Sequence, residues 1–313
     1  MAIPHAASGE LIDVRPPGEK PSQTSSSTPV TLGGTSALHR DSSGPDDEGG
    51  HSVNLPSIGK STMSRWVKGT VVGKRLWTDR LISLQVEAPE VTFVAGQFGR
   101  LALPAPPGSR QDMVVRPYSF VNSPETSPHE FYFTTVSDGP LTPRLAALAA
   151  GDAVWMMPRG GGFLAISETP AAGALWCLST GTGLGPFLSI LRTAEPWEKF
   201  ARVVLVHAVR FAGDLAYGDV IADIAAAHPG RFTHIPIVSR EARAGTLAGR
   251  IPDAIRDGRL EACAGLALSA DNSHVMLCGN PAMVDDTQEV LAARGMRRHR
   301  RKEPGHITVE TYW

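Results

Sequence analysis

The stretch "RPYSF", Arg116 to Phe120, sets a guanidinium, a phenol ring and a hydroxyl within five residues, with the Pro117 ring fixing the backbone between them. On a strand, side chains two apart share a face, so Arg116 and Tyr118 can meet one extended ligand. Arg116 would hold a pyrophosphate, Tyr118 would lie against a flat heterocycle, and Ser119 would offer its hydroxyl to a ring nitrogen. An ordinary strand with an exposed arginine and a packed tyrosine carries the same letters. What the chain brings to the same place decides between them.

A second group lies further on. "STGTGLGPFLSIL", Ser179 to Leu191, follows an apolar run and opens a helical pattern. Free backbone N–H groups and the helix dipole attract phosphate at such a junction, and glycines allow close approach. The spacing is not GxGxxG, and a tight strand-to-helix turn would read similarly. "VHAVR", ending at Arg210, and "VSRE", Ser239 to Glu241, each put an arginine at the end of an apolar run. Ligands of open α/β sheets sit outside the carboxyl ends of the strands, where Arg240, Arg250 and Ser239 would grip a 2′-phosphate. The plain alternative is surface salt bridges. "CGNP", Cys278 to Pro281, ends another apolar run, and its thiol is either a small core group or the lining of a reaction site.

These residues need two kinds of scaffold. From Trp66 to Phe163 the chain reads as short strands broken by Gly and Pro: "WVKGTVV", "LISLQVE", "FGRLAL", "VVRPYSFV", "EFYFTTV" and "AVWMM". That rhythm predicts a small antiparallel β-barrel, with one helix that Thr142 caps and Pro143 begins. After Ala165, "ALWCLS", "RVVLVHAV", "FTHIPIV" and "HVMLCG" alternate with the helical patterns "PFLSILRTA", "DVIADIAAAH" and "PAMVDDTQEVLAARG". Strand alternating with helix predicts a doubly wound parallel α/β sheet covered on both faces. The expected domains are a barrel over 63–165 and an α/β domain over 166–313. Residues 1–62, rich in Ser, Pro, Gly and Thr, read as a disordered extension. Met63 would be an alternative start of translation, which the intact mass of the native protein would decide.

Composition narrows the function. The 30 Lys and Arg nearly balance the 31 Asp and Glu, so no overall basic excess points to nucleic acid. Cys177, Cys263 and Cys278 form no CxxC pair, which fits a reducing, cytoplasmic setting without a structural metal or iron–sulfur cluster. No apolar run approaches the roughly 20 residues of a membrane helix, and the first residues lack the pattern of a secretory signal.

Together, "RPYSFVNSP", "FYFTTVSDGPLTPRLAAL", "STGTGLGPFLSIL", "LVHAVR", "VSRE" with "AGTLAGRIP", "HVMLCGNPAMVDDTQ" and the terminal "HITVETYW" closely resemble bacterial ferredoxin/flavodoxin–NADP⁺ reductases. The resemblance runs in order from Trp66 to Trp313. It implies that the barrel binds FAD and the α/β domain binds NADP(H). It puts Arg116 at the FAD pyrophosphate, Tyr118 and Phe120 in the flavin segment, and Ser119 near the flavin N5. Phe133, Thr134, Thr135 and Val136 match a second flavin segment, Leu141 and Thr142 a phosphate-binding helix start, and Thr182 a position at the flavin edge. Trp313 would lie over the flavin. Arg210, Ser239, Arg240 and Arg250 would hold the NADP(H) phosphates, while Cys278 and Glu310, with Ser119, are the catalytic candidates.

The implied reaction is hydride exchange with NADP(H) and single-electron exchange with a separate ferredoxin or flavodoxin. The basic run "RRHRRKE" would dock that acidic carrier through Arg297 to Lys302 on a monomeric enzyme. A flavin or quinone diaphorase, an oxygenase reductase component, or a non-catalytic flavin-binding sensor would share the fold.

Overall fold

The computed structural model describes residues 65–311. The readings of the N-terminal extension and of Trp313 lie outside them. Six antiparallel strands come first: β1 (Val67–Leu76), β2 (Leu81–Glu87), β3 (Phe98–Pro104), β4 (Met113–Ser119), β5 (His129–Thr134) and β6 (Ala153–Met156), in the order β4-β3-β6-β1-β2-β5. The edges close on each other where Phe120, just past β4, bridges Phe131 of β5, and the Val121 N–H donates to the Glu130 carbonyl at 2.9 Å. A sheet with this curvature leaves one face inward, and Ile82, Leu84, Val86, Phe131 and Phe133 fill it.

The outward face of β2 and β5 is buried as well. Leu81, Ser83 and Tyr132 alternate with the inward residues and lie against the second half of the chain. That double burial is why all four residues of "LISL" are buried, Ser83 included.

One helix, α1 (Thr142–Ala147), interrupts the strands. It starts a residue earlier than a Thr142 cap would require. Leu141 occupies the capping position, and Thr142 instead turns its Oγ1 back to accept the Val136 N–H at 2.9 Å. The far end is held by Lys74, whose Nζ donates to the carbonyls of Ala146 and Leu148, each at 2.8 Å.

The second half is a six-stranded parallel sheet: β7 (Ala174–Thr180), β8 (Arg202–Val209), β9 (Phe232–Val238), β10 (Leu247–Ala248), β11 (Ser273–Gly279) and β12 (Ile307–Thr311). Its order is β10-β9-β8-β7-β11-β12. Six helices connect the strands: α2 (Leu184–Leu191), α3 (Glu195–Lys199), α4 (Gly218–Ala227), α5 (Ile251–Arg256), α6 (Arg259–Ala264) and α7 (Pro281–Ala292). Leu175, Cys177, Val203, Leu205 and Met276 point to the side of α2 and α4. Trp176, Leu178, Val204, Val206, Val275 and Leu277 point to the side of α5, α6 and α7. Both faces are therefore covered, as a parallel sheet requires.

Three short helices and two strands were not legible beforehand. α5 and α6 are six residues each and are separated by Gly258 at φ +75°, so neither is long enough to show a helical period. None of the helices in the described residues is long and apolar enough to cross a membrane.

Candidate functional site

From β7 the chain winds one way through β8, β9 and β10, then crosses to the other side of β7 to form β11 and β12. The carboxyl ends of β7 and β11 thus flank the point where strand order reverses, where such folds bind ligands. β7 ends in the glycine-rich turn and β11 ends in Cys278–Gly279. The two ends touch through backbone: a Cβ on Gly183 would stand 2.4 Å from the Cys278 carbonyl oxygen, and one on Gly279 (φ +136°) would stand 2.3 Å from Thr180 Oγ1. The Asn280 N–H donates to Thr180 Oγ1 at 2.9 Å, and the Asn280 side chain caps α7 by accepting from the Ala282 and Met283 N–H groups.

Thr182 sits half-buried within a 3₁₀ turn, Gly181–Gly183, that runs directly into α2. Beneath it, His207 is fully buried and its pKa is pushed down to about 3, first by burial. The neutral ring places Nε2 3.2 Å from the Gly181 carbonyl, so Nε2 carries the proton and supports the turn from below.

The "RPYSF" segment lies on β4, with Arg116 opposite Leu101, Tyr118 opposite Gly99 and Ser119 opposite Phe98. Arg116 is exposed; its Nη1 donates to the neighbouring Val115 carbonyl at 2.7 Å, and it forms no ion pair among the described residues. Tyr118 is half-buried and meets the edge of Phe133 at 5.6 Å. Burial pushes its pKa up to about 12 against the pull of Arg116, so the ring stays a neutral phenol.

Ser119 is buried facing α2, where a Cβ on Gly185 would stand 4.0 Å from its own Cβ. Phe120, Phe133 and Leu141 put their side chains into the barrel core, and the Phe120 N–H donates to the Gln97 carbonyl at 3.1 Å. Thr134 and Val136 are exposed beside them. The Thr135 N–H donates to Arg80, while its Oγ1 is buried with no partner among the described residues.

Glu310 on β12 joins the two halves. It pairs in register with Cys278, and its Oε2 would stand 2.8 Å from a Cβ on Gly162 (φ +118°). Gly161 exchanges backbone hydrogen bonds with Phe98 at 2.8 and 2.9 Å, and Phe98 is the strand partner of Ser119. A continuous strip of contacts therefore runs from Ser119 through Phe98 and Gly162 to Glu310 and Cys278. Glu310 Oε1 is shielded from solvent with no hydrogen-bond partner among the described residues, and burial pushes the carboxyl pKa up to about 7. The sequence singled out Glu310 but not Phe98 or Gly162. The triple glycine at 160–162 was their one visible signal.

Arg210 follows β8, Ser239 and Arg240 follow β9, and Arg250 precedes α5; all are exposed. The Arg240 N–H donates to the Arg210 carbonyl at 2.9 Å and Ser239 N–H to Val209 at 3.1 Å, so the two strand ends are tied together. None of the three guanidiniums forms an ion pair among the described residues, whereas the nearby Arg256 and Arg259 are paired with Asp253 and Asp257. Salt bridges thus do not account for them.

The basic run has a mixed character. Arg301 grips Glu168 with two contacts at 2.5 and 2.9 Å and lies 5.1 Å over Phe163, and Arg300 pairs with Glu303 at 3.7 Å. Arg298 and Lys302 are exposed without an ion pair among the described residues. Arg298 to Arg301, with Gly162 and Phe163, line an open cleft.

A parallel sheet with a glycine-rich turn at its switch point, joined to an antiparallel barrel, is the architecture of a nucleotide-dependent oxidoreductase. Residues 177–289 match the oxidoreductase NAD-binding domain. Over 252 residues the chain is 47% identical to the flavodoxin/ferredoxin–NADP reductases of Shigella flexneri and of Escherichia coli K12, covering 80% of this chain and 100% of each relative. It is also similar to a ferredoxin NADP⁺ reductase from Neisseria gonorrhoeae solved with FAD and NADP bound. That match has 30% identity and a TM-score of 0.74, over 80% of this chain and 99% of the other. The chain belongs to the flavodoxin/ferredoxin–NADP reductase family.

Proposed function

We propose that this protein is an FAD-dependent reductase that exchanges a hydride with NADP(H) and single electrons with ferredoxin or flavodoxin. The observation that carries this reading is the strip linking Ser119 on the barrel to Glu310 and Cys278 at the sheet's switch point. A hydride donor and its acceptor must meet within about 3–3.5 Å, and the two domains bring their candidate residues to one place.

The residues fit the two nucleotides. Arg116, without a carboxylate partner, has guanidinium donors for the FAD pyrophosphate, and Tyr118 presents a neutral ring to the flavin. Ser119 is assigned to the flavin ring nitrogen. The backbone around Phe120, Phe133 to Val136, Leu141 and Thr142 is assigned to the rest of FAD, and Thr182 to its edge. Trp313 keeps its assignment over the flavin on the sequence resemblance. Bound FAD takes two electrons as a hydride and passes them on singly.

Arg210, Ser239, Arg240 and Arg250 are assigned to the NADP(H) phosphates, since unpaired guanidiniums at strand ends bind phosphate bidentately. Glu310, half-protonated near pH 7, holds a proton at a solvent-shielded carboxyl beside Gly162. Cys278 lines the same place. Residues 63–165 and 166–313 act as the two binding domains, and Arg298 and Lys302 are the cations free to attract an acidic carrier to a cytoplasmic monomer.

Anaerobic titration of the purified protein with NADPH tests this reading. Bleaching of the flavin band at about one equivalent is expected for a single hydride acceptor. A yellow protein left unbleached, or a colourless one that FAD does not reconstitute, would overturn it.

A further inference from the structure

Tyr217 is the one non-glycine residue of the described chain with positive φ, at +59°, and its ring is buried. Left-handed backbone strains an aromatic residue, and such conformations persist only where the surroundings enforce them. Here the enforcement comes from the barrel. The ring lies 4.6 Å from Trp77 and meets Tyr132 edge-on at 5.1 Å, and Trp77 and Tyr132 both belong to the barrel half.

The hydroxyl joins a directed chain of hydrogen bonds. Trp77 Nε1 donates to Ser83 Oγ at 2.7 Å, and Ser83 Oγ lies 2.5 Å from Tyr217 Oη. Tyr217 Oη donates in turn to Glu130 Oε1 at 2.8 Å. Since Tyr217 gives its proton to the carboxylate, Ser83 must be the donor to Tyr217. The other carboxylate oxygen of Glu130 faces Arg192 Nη1 at 3.8 Å, and Arg192 stands just past the end of α2.

A second set of bonds joins the same two bodies close to the site. Arg192 Nη1 donates to the Val121 carbonyl at 3.2 Å, and Ser189 Oγ donates to the Asn122 carbonyl at 2.7 Å. Val121 and Asn122 follow directly on Ser119 and Phe120. Ser189 sits on the helix that follows the glycine-rich turn, and Arg192 caps that helix at its far end. One end of α2 therefore holds Thr182 and Gly183, and its other end is fastened to the strand that carries Arg116, Tyr118 and Ser119.

We propose that Tyr217, Ser83 and Glu130, together with Ser189 and Arg192, are positioning residues that fix the spacing between Ser119 and the glycine-rich turn. They touch neither nucleotide in this assignment and act through α2 and the Val121–Asn122 segment. The inference rests on the hydride-transfer reading above. An error of about 1 Å in a reacting pair costs up to a hundredfold in rate, so spacing between the halves is the quantity such a latch would control.

The test uses the flavin-loaded full chain with Tyr217→Phe and Ser189→Ala, each of which removes one hydroxyl and keeps the remaining bulk. Stopped-flow reduction by NADPH gives a limiting rate and an NADPH dissociation constant, and hydrogen exchange follows the peptides over 120–130 and 184–192. The expected result is a limiting rate lower by about tenfold or more, unchanged NADPH affinity and flavin content, and faster exchange in both peptides together. If Tyr217→Phe does not fold, Ser189→Ala carries the test by the same readings. Native limiting rates in the folded variants, or losses confined to thermal stability and flavin content, would overturn the proposal. A native protein that NADPH cannot reduce would instead overturn the hydride-transfer reading.

Discussion

Cys278 and Glu310 stand opposite each other in register on the parallel pair β11 and β12, and the Glu310 carboxylate reaches from there to Gly162 at the barrel's edge. One side chain thus closes the gap between the two halves of the candidate site. A carboxyl group in that position is poorly solvated, and burial alone accounts for its raised pKa.

The pH dependence of stability follows with a definite sign. In the folded chain Glu310 holds its proton up to about pH 7, whereas the ordinary value is 4.5. The unfolded chain therefore binds fewer protons between those values, and the contribution to stability is lost as pH rises through that window. Glu310→Gln should flatten the thermal midpoint between pH 5 and 7 relative to the native protein, measured by differential scanning calorimetry. An identical slope in both would place the titration elsewhere.

Arg240→Ala removes a guanidinium that forms no ion pair among the described residues. The Michaelis constant for NADPH should rise about tenfold or more, because charge-assisted bonds to phosphate are worth roughly 1.5–3 kcal/mol. That for NADH should change little. Steady-state kinetics with both dinucleotides decide this, and equal rises would remove the 2′-phosphate assignment.

Gly183→Ala places a methyl 2.4 Å from the Cys278 carbonyl oxygen, a backbone atom that cannot swing aside. A cost of about 1–3 kcal/mol is expected, lowering the thermal midpoint by several degrees and slowing reduction by NADPH. Gly185→Ala is the control. Its methyl would meet Val121 at 3.4 Å, an ordinary contact distance, and a loss equal to that of Gly183→Ala would contradict the steric account.

Within the basic run, Arg298 is the informative position. Arg301 is committed to Glu168, and reversing its charge would set two carboxylates against each other, which confounds docking with folding. Arg298→Glu should slow carrier turnover at low ionic strength and leave NADPH-to-flavin transfer intact, with the difference shrinking as salt is added. Salt-independent turnover in both proteins would move the docking surface elsewhere.

Local features were legible from the residues alone. Short runs of buried-type residues gave β2, β8 and β9 at their observed bounds, because full or partial burial of nearly every side chain leaves a pattern that needs no knowledge of neighbours. The types and order of Arg116, Tyr118, Ser119 and the strand-end arginines pointed to nucleotide chemistry for the same reason. The cap at Thr142 was misread because the hydroxyl had a competing partner in the preceding loop, Val136, and that choice is made by loop geometry.

Which of those residues meet depends on long-range packing. β12 pairs with β11, so Glu310 comes to Cys278; α2 crosses to the barrel, so Ser189 reaches Asn122; and Tyr217 fits between Trp77 and Tyr132. Each is a contact between residues far apart along the chain. Its energy depends on the packing of both bodies, and such a contact leaves no periodic trace in either segment alone.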